Sequence, residues 1–174
     1  MDTVNAAPAD DAQRTLLTCC ASRHWAAKVV AHRPYPDLDA LLAAADEAAY
    51  DLTPADLTEA LAAEPIEPAL PPGSAYSAAA TALRAAHAAY ESRFGHAFVV
   101  CLDGVAPGEA LDHLLDSLRA RLGNDEEDER ALAAEELRKV ARARLTRLVR
   151  GWSRAAAPPA RRGEARRDSP YVPV

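Results

Sequence analysis

YESRFGHAFVVCLDG, residues Tyr90 to Gly104, changes character in its middle. Its first half closes a helix that Gly95 ends. Its second half, His96 to Leu102, is an apolar, β-prone run too short to make a convincing helix by itself. Asp103-Gly104 then marks a turn. How this run is read sets the fold class. As one short extended segment passing through the core, near 96–102, it leaves an all-α architecture.

Working outward, helix signals dominate both flanks. Upstream, a helix from about Ser74 to Phe94 carries Tyr76, Ala80, Leu83, His87, Tyr90 and Phe94 on one stripe, at alternating four- and three-residue steps. It is preceded by LAAEPIEPALPPGSAYS, Leu61 to Ser77, where a helix stops before Pro65 and the chain turns through Pro68, Pro71, Pro72 and Gly73. That earlier helix opens at Thr53-Pro54-Ala55-Asp56, with threonine as cap and proline at the first helical position. Still earlier, helices are predicted from Asp11 or Ala12 to Cys20, from a Ser22 cap to about Ala31, and from an Asp37 cap through Leu38, Leu41, Leu42 and Ala45. Downstream, Pro107 and Glu109 begin a helix that ends near Gly123. Asn124 is read as the cap of the last long helix, with the acidic run Asp125 to Glu129 on a solvated face matching the helix dipole.

Composition agrees with this reading. The 174 residues suit one domain. Apolar residues make up 49% of the chain and aromatics 5%, much of the apolar share being alanine, which favours closely packed helices. Residues 1–10 read as a disordered start, 11–152 as the helical domain and 153–174 as a disordered Pro/Arg-rich tail. A net charge of −6 argues against nucleic acid as a partner. No apolar stretch approaches the roughly 20 residues of a membrane span, and no basic start precedes an apolar run. Three cysteines, Cys19 and Cys20 among them, form neither a disulfide framework nor a spaced metal site, so a reduced, cytoplasmic chain without metal is expected.

Several segments recur in one order: Cys19-Cys20-Ala21-Ser22-x-x-Trp25-Ala26, Arg33-Pro34-Tyr35, Ala44-Ala45-Asp46, Tyr90-Glu91-x-Arg93-Phe94-Gly95, Arg121-Leu122-x-Asn124-Asp125 and Glu136-Leu137-x-Lys139-Val140-x-x-x-Arg144-Leu145. Together they resemble the OHCU decarboxylase family, which acts on 2-oxo-4-hydroxy-4-carboxy-5-ureidoimidazoline in urate breakdown. The resemblance covers roughly residues 12–150. It implies a single-domain helical bundle, a homodimer, a small-molecule substrate and chemistry without cofactor. It also implies a site in which a His-Pro turn manages protons, a Glu-Gln pair orients substrate, an arginine on the last helix holds anionic oxygen and the Phe-Gly-x-x-Phe segment binds the ring. Here Glu64-Pro65 stands at the His-Pro turn, the Glu-Gln pair is missing, and Arg144 is retained. The short bridge after Pro65 reads as a deletion of the substrate loop.

Glu64, His87 and Arg144 are therefore the candidate catalytic residues, with Pro65, His24, Trp25, Phe98 and Val99 as candidate substrate contacts. Arg144 shares a helical face with Leu137, Val140 and Leu148, and a cation on an apolar stripe needs a partner. That partner is either a substrate anion or an internal acid, Glu64 itself being one choice. Glu64 ends a helix, where the dipole disfavours a carboxylate and suits it to proton transfer. His87, on the inward stripe, is either a second acid/base candidate or a core histidine donating to a backbone carbonyl. His96 flanks the same motif and is a further candidate for the pocket, whereas His32 and His113 read as surface residues.

The leading expectation is a divergent enzyme of this fold acting on a small anionic or carbonyl-rich metabolite, in specialised metabolism. Its chemistry would be decarboxylation, isomerisation, cyclisation or dehydration by acid/base catalysis. The alternatives are a genuine OHCU decarboxylase giving allantoin, and a catalytically inactive helical binding or scaffold protein.

Overall fold

The computed structural model describes residues 2–65 and 80–155. Among them the helices are α1 (Asp2–Ala6), α2 (Ala9–Leu16), α3 (Arg23–Ala31), α4 (Leu38–Tyr50), α5 (Pro54–Ala62), α6 (Ala80–Phe94), α7 (Ala110–Arg121) and α8 (Glu126–Ala155), and no strand occurs. The fold is all-α. The predicted bridge from Pro68 to Gly73, the first turns of the helix expected from Ser74, and the tail beyond 155 lie outside the described residues.

Polar side chains start the helices where the sequence places them. Ser22 accepts from the Trp25 N–H and Asp37 from the Ala40 N–H. Thr53 and Asp56 satisfy each other's backbone N–H groups across the first turn of α5, with Pro54 at its start. Each such cap satisfies a backbone donor that the first turn leaves unpaired. α8 departs from expectation by one residue. Its cap is Asp125, whose carboxylate accepts from the Glu127 and Asp128 N–H groups.

The N-terminal residues read as disordered are instead helical and attached. Val4 is buried, Asn5 exchanges two hydrogen bonds with the Tyr35 backbone, and Arg33 donates to the carbonyls of Val4 and Ala7. Their small, polar composition hid this because the partners, the Tyr35 backbone and the Arg33 side chain, lie in a distant turn. α8 likewise continues three residues past the expected end of the domain, to Ala155.

Two apolar clusters form the interior. One joins α1 to α5 with the Ala133, Leu137, Ala141, Leu145, Val149 row of α8; the other joins α6 and α7. The four-residue spacing of that row puts it on one face of the helix. At 30 residues α8 is about 45 Å long and serves as the central strut.

Residues 97–102, where the sequence predicts an extended segment, run between the two clusters as neither helix nor strand. Alternate side chains go opposite ways: Val99 joins the first cluster, while Phe98 and Val100 join the second. That two-residue period is the signature of extended backbone. Gly95 and Gly104 bound it with φ of 75° and 84°, a region that a Cβ would penalise.

Candidate functional site

The end of α5, the extended segment and one face of α8 enclose a cleft of about 540 Å³. α8 contributes Val140, Ala143, Arg144 and Arg147, spaced so that all four share a face beside the buried row. The chain from Phe98 to Val105 and Glu64-Pro65 supply the rest of the described lining.

Arg144 is the centre of this arrangement. Its Nη1 donates to Glu64 Oε1 at 2.6 Å and its Nη2 to Glu64 Oε2 at 2.7 Å, a bidentate pair. Nη1 also donates to the Cys19 carbonyl at 3.2 Å. The Glu64 side chain is 6% exposed and that of Arg144 30%, so the pair is half-buried with the guanidinium as its open side. Hydrogen bonding to Glu64 raises the Arg144 pKa above its ordinary value, and burial opposes that rise. The internal-acid reading of Arg144 thus describes this state, yet the cation still faces the cleft. Arg147, one turn later, holds Asp103 at 2.8 Å in an exposed pair at the rim.

Buried charges behind the extended segment fix its position. Arg121 donates to the Val99 carbonyl at 2.6 Å and to Glu129, and its guanidinium lies 4.4 Å from the centre of the Phe98 ring. Glu129 also accepts from the Tyr90 hydroxyl and from Asn124. Burial first, and the bond to Glu129 second, push the Tyr90 hydroxyl pKa well up. Two residues further along the same segment, Glu136 accepts from the Cys101 N–H at 2.7 Å. The carbonyl of residue 99 and the N–H of residue 101 lie on one edge of extended chain, so these two bonds set its register against α7 and α8.

A protein-family model described as OHCU decarboxylase matches residues 5–66 and 69–146, well over half of the chain. The chain belongs to the OHCU decarboxylase family. Among solved structures, one is described as OHCU decarboxylase in the presence of (S)-allantoin. It aligns with a TM-score of 0.66 and 23% identity over 77% of this chain and 96% of that one. Another, (S)-allantoin synthase, aligns with a TM-score of 0.64 and 19% identity over 84% of this chain. This chain spans about half the length of that synthase, 52%. At these identities the likeness shows the fold. No curated protein matches the sequence.

Set against the family's pattern, the cleft gathers Glu64, Pro65, Phe98, Val99 and Arg144 from three separate parts of the chain. His87 is not on its wall. It is 2% exposed and lies behind Phe98, the two rings stacked at 5.8 Å. Trp25 is fully buried, its Nε1 donating to the Ala45 carbonyl at 2.8 Å, and so joins α3 to α4. His24 is exposed on α3, 3.8 Å from Asp56. His96 lines a separate depression with Leu57 and Phe94. None of these four residues is on the cleft wall formed by the described residues; His24 and His96 were candidates because they flank family motifs, His87 because of its place on the inward stripe.

The sequence reading missed Arg147 and Asp103 at the rim and the buried Arg121–Glu129 pair. A signal for Glu129 was present. It stands four and eight residues before Ala133 and Leu137, on the row that α8 buries. Among the described residues there is no group of three or more His, Cys, Asp or Glu side chains able to hold a metal, and no helix long and apolar enough to cross a membrane.

Proposed function

We propose that the cleft is the active site of a divergent OHCU-decarboxylase-fold enzyme performing acid/base chemistry on a small anionic or carbonyl-rich metabolite. The observation that carries this reading is the bidentate Arg144–Glu64 pair at an open cleft. The chain's own carboxylate occupies Arg144 as a substrate carboxylate or enolate would. An incoming anion takes over the guanidinium. Glu64 then loses its cation and stands beside the substrate with oxygens able to accept and return a proton. Decarboxylation, isomerisation, cyclisation and dehydration all need these two services, an anchored negative charge and a nearby proton carrier.

His87 is left out of this chemistry because it is buried against Phe98 and does not line the cleft among the described residues. Its part is to pack behind the ring that lines the wall. Pro65, Phe98 and Val99 are the proposed substrate contacts. The homodimeric, cofactor-free habit of the family is carried into the proposal with the fold.

The test is proton exchange and carbon dioxide release in deuterated water. Freshly made ureide and a set of 2-oxo and 3-oxo carboxylates are followed by NMR. Enzyme-dependent deuterium incorporation or decarboxylation of an oxo acid, lost in Glu64→Gln, is the expected result, with the ureide decaying only at its spontaneous rate. Stereospecific allantoin formation above that rate sinks the divergent reading in favour of the family reaction. Unchanged turnover in Glu64→Gln removes Glu64 from the proton path.

A further inference from the structure

The cleft holds two arginines, not one. Arg144 and Arg147 lie one turn apart on α8 and both line it. Each is paired with an acid of its own chain from a different element. Glu64 follows α5 and takes Arg144 in bidentate fashion; Asp103, in the turn after the extended segment, takes Arg147 at 2.8 Å. Phe98, Val100, Val105 and Val140 give the lining they share an apolar part.

We infer that the cleft takes a ligand with two anionic groups on a short carbon skeleton, one group on Arg144 and the other on Arg147. This rests on the reading of Arg144 as a substrate anchor and adds the class of substrate. The two internal carboxylates mark where anionic oxygens are best held, and a dicarboxylate reproduces both at once. Side chains three residues apart on a helix start roughly 5–6 Å from each other, which suits a diacid of about four or five carbons. Both side chains of the Arg147–Asp103 pair are more than half exposed, 61% and 58%, so water screens it and a ligand exchanges for Asp103 easily. Arg144 is harder to free, being half-buried, but among the described residues it makes three hydrogen bonds. Its guanidinium carries five N–H groups, so a ligand oxygen can begin to bind before Glu64 leaves.

Calorimetric titration of the full chain with succinate, glutarate and butyrate tests this. The diacids are expected to bind about fivefold tighter than butyrate, the difference that one exposed ion pair supports. Arg147→Gln is expected to erase that advantage, and Asp103→Asn to increase it. Arg147 is exposed, so its replacement leaves the fold intact, which circular dichroism checks. Equal affinity for diacids and butyrate overturns the inference while sparing Arg144 as an anchor, and so does a diacid preference that survives Arg147→Gln. Absence of any Arg144-dependent binding overturns both readings.

Discussion

Glu64 and Glu129 each pair with an arginine, and their surroundings give them different work. Glu129 is fully buried and accepts from Arg121, Tyr90 and Asn124, which leaves no side open to a ligand. Removing it strands the Arg121 cation in the core. Glu129→Leu is expected to cost about 3–5 kcal/mol in urea unfolding, and pairing it with Arg121→Met is expected to restore most of that loss. Glu64 is less deeply buried, and its partner opens onto the cleft. Cys20 gives a pH signature at the same scale. Burial, the largest cause, raises its thiol to about 11, so the fold prefers the neutral form. Its contribution is complete below the unfolded thiol value of about 8.5 and declines as pH rises toward the folded value. Stability is therefore expected to fall above about pH 9 by up to roughly 1.4 kcal/mol per pH unit from this group. Cys20→Ala flattens that part of the profile in thermal melts.

At the scale of elements, the caps were legible in the sequence because capping is local. Ser22, Asp37 and the Thr53–Asp56 box occur where the sequence puts them. The box has a functional consequence, since α5 ends two residues before Glu64 and its start fixes where that end lies. Thr53→Ala is expected to lower stability by about 1 kcal/mol in thermal unfolding. The extended segment was legible from its apolar, β-prone run, but the groups that hold it were not. Arg121 and Glu136 reach it from helices 22 and 35 residues away in sequence, and both bond to backbone, which leaves no trace in residue type. Glu136→Ala is expected to speed hydrogen exchange of the Cys101 amide by at least tenfold, the effect of losing about 1.4 kcal/mol of local protection. Exchange in the α4 core would stay as it was. Uniform acceleration everywhere would mean that Glu136 supports the whole fold rather than this wall.

At the scale of the molecule, α8 is shared by everything that matters. One face completes the larger apolar cluster, and the adjacent face carries Val140, Arg144 and Arg147 into the cleft. The family and its helical fold could be read from ordered motifs along the chain because those motifs are mostly the packing and capping residues of this frame. The site was only half legible. Glu64 and Arg144 stand 80 residues apart, and the sequence left open whether Arg144 meets an internal acid or a ligand. The structure joins the two residues and keeps the cleft beside them open. In the proposed function, Glu64 holds Arg144 in place of a ligand anion. The most direct measurement of this is the affinity of succinate for the intact chain, Glu64→Gln and Arg144→Gln. Removing the internal competitor in Glu64→Gln is expected to tighten binding roughly tenfold, and Arg144→Gln to abolish it. Equal succinate affinity in all three proteins would contradict the account.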